Sequence, residues 1–323
     1  MNRFNTPLLL LLLLSCLNAL AQIEEPIQYK ITVPTGADLT LEGTLTIPEK
    51  AKKTMPVVLL IAGSGPTDRN GNNPYGMKPN NYKMLADSLA VKGIAVARYD
   101  KRGSGTNLQA AIKTIKAADH RFDFYVSDAV GFINQLKADK RFSTVVVAGH
   151  SEGSLVGMLA AEKTKASKFI SLAGPGRNIA DVLKDQLKAG LPDTLSSVAA
   201  TMLDSLKAGY NVKRINPFLM GLFNPANQPG LISWMAYNPA SVIKNFTGPI
   251  LIINGKHDSQ VSTKEAELLK AARPDATLIL VDEMSHILKN APVDRAANLK
   301  TYTDPNLTLT PGLVNYIAKF VKP

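Results

Sequence analysis

The alternation of apolar and polar positions divides this chain into short strands and amphipathic helices. Residues 27–33 and 39–47 each alternate apolar and polar side chains, and Pro34-Thr35-Gly36 lies between the two runs. This pattern predicts an antiparallel hairpin at the edge of a sheet. Other runs are apolar at almost every position, which is typical of strands buried on both faces. These runs are 56–62, 94–98, 169–172, 249–253 and 277–281.

Helical periodicity occurs between most of these runs. It predicts helices at residues 82–92, 122–138, 264–272 and 311–322. Strands that alternate with helices at this spacing form a mostly parallel, doubly wound sheet. Such sheets bind ligands beyond the carboxyl ends of their strands. The sequence therefore predicts an α/β fold with its functional residues in the loops that follow the strands.

One stretch, residues 145–163, joins a strand to a helix through a glycine-rich turn. The turn reads GHSEG (149–153), and an apolar stripe continues along the helix after it. Strand, G-x-S-x-G and helix in this order are typical of a nucleophile elbow, which exposes a serine hydroxyl at its apex. Short matches of this kind recur by chance, so the alternative is a simple glycine-rich turn. As an elbow, the stretch presents Ser151.

The alternation of strands and helices is interrupted at residues 178–245, where no buried strand is predicted. This region has helical patterns at 182–189, 195–208 and 217–223 and holds the only tryptophan, Trp234. We interpret it as a helical cap inserted over the carboxyl ends of the strands. Its apolar residues either line a substrate pocket or, as we favour for most of them, pack the cap on the sheet. They are Phe218, Leu219, Met220, Leu222, Phe223, Trp234 and Met235.

Two residues follow Ser151 in the order that a catalytic triad requires. Asp258 and His286 each come after a predicted strand, in the chain order nucleophile, acid, base that α/β-hydrolases show. A serine hydroxyl is a poor nucleophile near neutral pH and needs an imidazole to take its proton. The imidazole needs a carboxylate to orient it and to stabilise its charged form. The three residues are therefore predicted to form a Ser-His-Asp triad.

Other residues compete for these roles. Asp181 and Asp282 are alternatives for the acid. Among the other histidines, His120 begins a helix and is predicted to be a surface or capping residue, whereas the His150 side chain should point away from the serine. His257, beside the acid, permits a metal site. Such a site needs further ligands, and because histidines are few here, no metal is predicted.

Backbone N–H groups are expected to hold the negative charge that develops on the substrate oxygen. One belongs to Glu152, the residue after the nucleophile. The other is expected in the loop after the 56–62 strand, from Ser64, with Gly65 as the alternative. Each donor of this kind contributes roughly 3–4 kcal/mol to stabilising the transition state.

Composition excludes several classes of function. The 323 residues are 45% hydrophobic and 20% charged, with a formal net charge of +11. The lysines are scattered over predicted helices and form no basic run interleaved with aromatic residues, so no nucleic-acid partner is predicted. The single cysteine, Cys16, excludes a disulfide framework, a cysteine nucleophile and a thiolate metal site in the mature chain.

The first 21 residues have the pattern of a signal peptide. Arg3 is followed by seven leucines at 8–14, and Ala19-Leu20-Ala21 is a small-x-small cleavage pattern. The apolar run is too short to span a bilayer. We therefore expect an exported protein, periplasmic or extracellular, whose mature chain starts at Gln22 and has no membrane span. Attachment to a membrane through lipidated Cys16 is the alternative.

Several motifs give residues 22–323 a resemblance to the α/β-hydrolase superfamily. They are AGSGP (62–66), YDKRGSG (99–105), GHSEG (149–153), NGKHDSQV (254–261) and EMSHILK (283–289). Within the superfamily the chain is similar to bacterial exported carboxylesterases and to the serine-aminopeptidase-like group, which share a GSGP-type first loop and a cap before the acid-bearing strand. The resemblance assigns the family's nucleophile to Ser151, its acid to Asp258 and its base to His286. Ala62 departs from the histidine often found before the first-loop glycine, so the shape of the oxyanion loop is open.

From the residues and this resemblance we expect a serine hydrolase that cleaves carboxylic ester bonds of small acyl substrates through an acyl-enzyme, without a cofactor. The first alternative is an aminopeptidase, which needs an acidic anchor for the substrate amine. Candidate anchors in the cap are Asp181, Asp185, Asp193 and Asp204. The second alternative is a non-catalytic protein that binds a small molecule on the same fold. The oligomeric state does not follow from the sequence.

Overall fold

An eight-stranded sheet forms the centre of the protein, which a computed structural model describes over residues 22–50 and 53–322. The strands are β1 (Gln22–Thr32), β2 (Asp38–Pro48), β3 (Met55–Ile61), β4 (Ala95–Tyr99), β5 (Phe142–His150), β6 (Lys168–Leu172), β7 (Ile250–Gly255) and β8 (Thr277–Val281). Their order across the sheet is β1-β2-β4-β3-β5-β6-β7-β8. β2 is antiparallel to both of its neighbours, and the pairs from β4 to β8 are parallel.

The predicted hairpin is confirmed at one edge of this sheet. β1 and β2 pair along their whole length, from Gln22 opposite Pro48 to Thr32 opposite Asp38. The backbone closes the turn with a hydrogen bond of 2.9 Å from the Val33 N–H to the Ala37 carbonyl. The alternation read from the sequence therefore marks a strand pair that adds an antiparallel edge to a parallel sheet.

Helices cover both faces of the sheet. The α-helices are α1 (Asn81–Val91), α2 (Leu108–Thr114), α3 (Phe122–Ala138), α4 (Glu152–Thr164), α5 (Ile179–Gly190), α6 (Asp193–Lys207), α7 (Met220–Phe223), α8 (Gln228–Met235), α9 (Pro239–Val242), α10 (Thr263–Ala272), α11 (Arg295–Lys300) and α12 (Leu313–Val321). Alternate β3 residues point to opposite faces. Val58 and Leu60 pack with α1 and α12, whereas Val57, Leu59 and Ile61 pack with α3, α4 and α10.

Five helices, α5 to α9, lie between β6 and β7, in the region interpreted as a cap. Part of this region has an apolar core of its own, which includes Leu219, Phe223 and Met235. Two other apolar residues of the region face outward: Phe218 is 86% exposed and Met220 is 40% exposed. The apolar residues of the region thus divide among a cap core, the surface and, as described below, a cavity wall.

The predicted α/β fold is confirmed, with element ends that shift by a few residues from the sequence pattern. Three α-helices, α2, α9 and α11, were not predicted from the sequence. No helix within 22–50 and 53–322 is long and apolar enough to cross a bilayer. The predicted signal peptide, residues 1–21 with Cys16, lies outside the described residues, so it stays a prediction.

Candidate active site

The turn between β5 and α4 holds Ser151 in an unusual backbone conformation. Its φ of 54° and ψ of −123° lie in a region that residues with a side chain rarely adopt. Glycines on both sides make the turn possible. A Cβ on Gly149 would lie 2.0 Å from the Gly153 carbonyl oxygen, and a Cβ on Gly153 would lie 2.4 Å from that of Ile61. Strand and helix therefore pass close together and leave the serine at the apex.

The predicted acid and base are joined by a hydrogen bond. Asp258 follows β7 and His286 follows β8, and Asp258 Oδ2 lies 2.8 Å from His286 Nδ1. Asp258 Oδ1 accepts two more hydrogen bonds, each of 2.8 Å, from the backbone N–H groups of Gln260 and Val261. Because an ionised carboxylate only accepts hydrogen bonds, His286 carries its proton on Nδ1. In the neutral ring, Nε2 is then the acceptor for a proton.

His150, the neighbour of Ser151 in the chain, packs against the predicted base. The ring of His150 lies 4.6 Å, centroid to centroid, from the ring of His286. Ser151 and His286, which both belong to the described part of the chain, form no hydrogen bond with each other in this structure. Catalytic hydrogen bonds are often long or unformed before substrate binds, so this geometry is compatible with a triad.

Neither alternative for the acid forms a hydrogen bond or ion pair with a histidine in the described part of the chain. Asp282 forms an ion pair of 2.7 Å with Lys256, and its side chain is 82% exposed. Asp181 forms an ion pair of 2.9 Å with Lys207 on the cap. Both carboxylates thus have partners at the surface, whereas the Asp258 carboxylate is fully buried beside its histidine.

His150 belongs to a buried chain of hydrogen bonds. Its Nε2 lies 2.7 Å from the carbonyl oxygen of His286, so this nitrogen must carry a proton and donate it. The Tyr82 hydroxyl accepts from the Gly63 N–H at 3.1 Å and donates to His150 Nδ1 at 2.8 Å. Burial and the nearby His286 lower the pKa of His150 to about 3, so the ring is neutral. This chain of bonds connects the loop after β3 to the backbone of the predicted base.

The two remaining histidines, His120 and His257, have different surroundings. The prediction that His120 is a surface or capping residue is wrong, because its half-buried ring lines the cavity beside Ser151. Burial, with the positive charges of Arg102 and Lys101, lowers the pKa of His120 to about 4. His257 Nδ1 donates to the Ala291 carbonyl at 2.6 Å. Within the described ranges no group of three or more His, Cys, Asp or Glu side chains is arranged to hold a metal ion.

The predicted oxyanion donors flank the serine. Ser64 and Glu152 both line the cavity with Ser151, and so does the alternative, Gly65. A Cβ on Gly63 would lie 3.2 Å from the Ser151 Cβ, so this loop packs against the elbow. The Gly63 N–H is occupied by Tyr82. By contrast, the N–H groups of Ser64 and Glu152 donate to no other residue in the described part of the chain.

A cavity of about 680 Å³ opens in front of Ser151. Its walls come from the ends of the strands, from α2 and α3, and from the cap. The rings of Phe122 on α3 and Trp234 on the cap stack at 5.7 Å with an angle of 4° between them. Other cap residues in the wall are Ile179, Val182, Leu183, Leu222 and Leu231. The cavity therefore suits a substrate with an apolar group next to its reactive carbonyl.

Helix α2, which was not predicted from the sequence, forms part of the cavity wall. Leu108, Ala111 and Ile112 of the helix, together with Ile115 just after its end, line the cavity. Their spacing of i, i+3, i+4 and i+7 is the pattern of one helix face, so the signal was present in the sequence. Ile112 remains 65% exposed, which is consistent with a helix that covers the mouth of a pocket more than it packs in a core.

The cavity offers little to a positively charged amine. Glu152 is the carboxylate among its described lining residues, and it forms a buried ion pair of 2.7 Å with Lys101. The four cap aspartates considered as anchors do not line this cavity; they are Asp181, Asp185, Asp193 and Asp204. An aminopeptidase would therefore lack a free acidic anchor in the described walls.

The sheet order, the elbow after β5 and the Asp258–His286 pair after β7 and β8 define the class as an α/β-hydrolase fold. A family model described as Hydrolase_4, serine aminopeptidase S33, matches residues 75–242. The chain belongs to this family of serine hydrolases, which confirms the resemblance seen in the sequence. The match includes Ser151 and ends before Asp258 and His286, so it does not test the acid and the base.

Individual relatives agree with this class. The esterase EstD of Thermotoga maritima is 32% identical over 267 residues, which cover 79% of this chain and 60% of EstD. The chain thus spans less than two thirds of that relative. Est1E from Butyrivibrio proteoclasticus has a TM-score of 0.53 at 16% identity, covering 91% of this chain and 96% of Est1E. The Pyrococcus furiosus esterase Pf2001 has a TM-score of 0.52 at 15% identity, covering 92% and 91%. At these identities the two structures show a shared fold alone.

Proposed function

We propose that this protein hydrolyses carboxylic esters of small acyl substrates. The observation that carries the proposal is the hydrogen bond between Asp258 and His286 at the sheet edge where the elbow exposes Ser151. The similarity to EstD, an esterase, supports the same class of reaction. Ser151 is the nucleophile, His286 the general base and acid, and Asp258 the residue that orients His286.

Acylation begins when Ser151 Oγ attacks the ester carbonyl carbon and passes its proton to His286 Nε2. The carbonyl oxygen becomes an oxyanion, which accepts hydrogen bonds from the backbone N–H groups of Ser64 and Glu152. When the carbon–oxygen bond to the alcohol breaks, His286 returns the proton to the leaving alkoxide. The products of this half-reaction are the free alcohol and an acyl group bound to Ser151.

Deacylation repeats these steps with water. His286 takes a proton from a water molecule, whose oxygen attacks the acyl carbonyl. The same backbone donors hold the second oxyanion. When it collapses, the bond to Ser151 breaks, the serine oxygen recovers its proton from His286, and the carboxylic acid leaves. Asp258 keeps the imidazole in one tautomer throughout and stabilises its positive charge.

The apolar lining of the cavity supports an uncharged substrate. A wall built from Trp234, Phe122 and the aliphatic residues of α2 favours an uncharged acyl or alcohol group. An aminopeptidase is the second candidate because of the family to which the chain belongs. The ion pair between Lys101 and Glu152 weighs against it, since the carboxylate is already neutralised. A non-catalytic binding protein is the third candidate.

The test compares the wild-type protein with Ser151→Ala on p-nitrophenyl esters of increasing acyl length and on aminoacyl-p-nitroanilides. We expect the wild type to turn over the esters and the variant to lose about 10⁶-fold in kcat, because serine and histidine act as a unit. The dependence of kcat/KM on acyl length measures the size of the site.

Other outcomes point to the other candidates. Turnover of the anilides without a preference for esters would favour the peptidase. No turnover of either substrate class by the folded wild-type protein would leave a binding role. Ester turnover that survives in Ser151→Ala would contradict the assignment of the nucleophile. Circular dichroism of both proteins serves as the control for folding.

We also propose that the protein is exported. The support is the pattern of residues 1–21, with Arg3, the leucine run and the Ala19-Leu20-Ala21 site. Expression of the full chain in a bacterial host, followed by cell fractionation and mass spectrometry of the purified product, tests this. An exported chain that starts at Gln22 is expected, whereas a chain that starts at a lipidated Cys16 would support the lipoprotein alternative. An uncleaved chain in the cytosol would contradict export.

A further inference from the structure

Lys101 is a buried cation that the proposed mechanism leaves without a role. It follows β4, in the YDKRGSG segment, and is 1% exposed. Its ammonium nitrogen lies 2.5 Å from the Gly63 carbonyl oxygen and 2.7 Å from Glu152 Oε1. It also lies 4.8 Å from the centre of the Tyr125 ring. Two of the three ammonium donors therefore have hydrogen-bond acceptors, and the positive charge also faces the Tyr125 ring.

The first of these partners shares a peptide group with a predicted oxyanion donor. The Gly63 carbonyl and the Ser64 N–H belong to one planar trans peptide, in which the two groups point in opposite directions. A hydrogen bond that holds the carbonyl toward Lys101 therefore turns the Ser64 N–H to the opposite side. Ser64 lines the cavity, and Gly63 packs against the Ser151 Cβ, so the loop that carries this N–H lies beside the elbow.

The second partner carries the other predicted donor on its own backbone. Glu152 is the first residue of α4, and its N–H is the donor supplied by the elbow. Lys101 thus links the side chain of one donor residue to the peptide group of the other. The ion pair is almost completely buried, since the side chains of Lys101 and Glu152 are 1% and 7% exposed.

Gly63 needs external partners to hold this orientation. A glycine has no Cβ, so its backbone rotates more freely than that of other residues. Its N–H is bound by the Tyr82 hydroxyl, and its carbonyl is bound by Lys101. The two side chains fix the peptide groups on both sides of the glycine. A fixed oxyanion donor stabilises developing charge better than a mobile one because it needs no reorganisation during the reaction.

We propose that Lys101 is a positioning residue that orients the Gly63–Ser64 peptide and Glu152 as the oxyanion hole. The proposal rests on the esterase function described above. Lys101 does not touch the reacting atoms; it acts through the backbone donors. Its loss is expected to lower kcat by about 10²-fold, the lower end of what the loss of one oxyanion donor causes. KM changes little, because the ground-state ester carbonyl carries little of the charge that the donors bind.

A simpler role for Lys101 is to neutralise the buried charge of Glu152. Removing one partner of a buried ion pair leaves an uncompensated charge, which by itself damages a site. The double variant Lys101→Met/Glu152→Met separates the two roles because it removes both charges together and leaves no side-chain donor beside the Gly63 carbonyl. If neutralisation is the role, the double variant recovers activity. If positioning is the role, it stays as slow as Lys101→Met, since neither variant has a donor for the Gly63 carbonyl.

The experiment measures kcat and KM on a p-nitrophenyl ester for wild type, Lys101→Met and the double variant. It also measures the affinity of an alkyl boronic acid by thermal shift. Ser151 Oγ adds to the boron and passes its proton to His286, which gives a tetrahedral anion like the transition state. We expect kcat and boronic-acid affinity to fall together in both variants. Lys168→Met is the matched control, because Lys168 donates to the Phe320 carbonyl at 2.7 Å, away from the cavity.

Three outcomes would overturn the proposal. They are wild-type kcat in Lys101→Met, recovery of kcat in the double variant, and a lowered kcat with unchanged boronic-acid affinity. If Lys101→Met does not fold, the double variant, which buries no unpaired charge, gives the same test. Failure of the esterase function is distinguishable, because a wild type without ester turnover still reports the state of the oxyanion hole through boronic-acid affinity.

Discussion

The carboxyl edge of the sheet and the cap contribute to one cavity by different means. At the sheet edge, polar groups are held by several hydrogen bonds each, as with the three bonds to the Asp258 carboxylate. In the cap, the groups that face the cavity are mainly apolar. Charged residues of the cap form ion pairs with each other outside the cavity wall. An example is the ion pair of 2.9 Å between Lys207 and Asp181.

This difference indicates that the sheet edge and the cap have different roles, catalysis and substrate selection. Groups that take part in chemistry must be held within a fraction of an ångström, which requires directional bonds on rigid elements. Groups that select a substrate by size need only shape and apolar surface. Changes at the sheet edge are therefore expected to alter kcat, and changes in the cap to alter the choice of acyl group. The predictions below test this division.

Among the variants that compare these two regions, Asp258→Asn at the sheet edge is expected to have the largest effect. An amide can donate to His286 Nδ1 and so favour the tautomer with its proton on Nε2, which cannot accept the serine proton. We expect kcat to fall by about 10⁴-fold, with the fold intact. Steady-state kinetics on a p-nitrophenyl ester measures this. A loss below tenfold would indicate that another carboxylate serves, and Asp282→Asn, at an exposed surface pair, is the matched control.

A smaller and more selective effect is expected from Trp234→Ala in the cap. The indole stacks on Phe122 and lines the cavity, so its loss removes apolar contact with the larger acyl groups. We expect kcat/KM to fall by about 10- to 100-fold for long acyl chains and to change little for acetyl esters. The ratio of the two values is the measurement. An equal loss for every chain length would contradict the division of roles.

The next prediction concerns stability and pH at the sheet edge. The folded-state pKa of His150 is about 3, against an ordinary value of 6.5. Between these values the unfolded chain binds a proton that the folded protein does not, so stability falls as pH is lowered through this window. His150→Gln removes this titration and should flatten the pH dependence of the urea midpoint from pH 6.5 downward. At pH 7 it should cost about 1–3 kcal/mol through the broken bonds to Tyr82 and His286.

A second histidine, His120, also contributes to the pH dependence of the urea midpoint. His120 also has a lowered pKa, of about 4, and contributes to the same window. The variant is therefore expected to keep part of the slope, and His120→Gln, measured beside it, shows how much of that part His120 contributes. An unchanged slope in His150→Gln would contradict the neutral, buried state assigned to this ring.

The smallest effect is expected from Phe218→Ser on the outer surface of the cap. This side chain is 86% exposed, and its replacement should change the free energy of unfolding by less than about 0.5 kcal/mol. The matched variant Phe223→Ala, at a fully buried position of the cap core, should cost about 3–5 kcal/mol. Thermal unfolding of both variants makes the comparison. A large effect of Phe218→Ser would indicate that this face of the cap is covered by a partner.

Much of the fold followed from local patterns. Apolar runs of β-branched residues marked the buried strands, and alternation marked the hairpin of β1 and β2. The order of Ser151, Asp258 and His286 along the chain was readable because each follows a strand of a parallel sheet, where loops converge at one edge. The assignment of the three residues stays a prediction that the kinetics above test.

Other features needed the tertiary structure. The role of His120 was misread because burial in a cavity wall depends on α2, α3 and the cap, which are distant in sequence. The apolar cap residues looked alike in sequence, yet Phe218 is at the surface, Phe223 in the cap core and Trp234 in the cavity wall. A helix face is visible in the sequence, but its partner is not.

The sequence by itself determined the class of sheet, the glycine-bounded turn at Ser151 and the position of the candidate acid and base after their strands. These depend on side-chain periodicity and backbone sterics, which are local. Only the tertiary structure decided that the Lys101 ammonium contacts Gly63 and Glu152, residues 38 and 51 positions away. Hydrogen bonds between distant segments depend on how whole elements pack, and a buried lysine in a loop has no sequence pattern that names its partners.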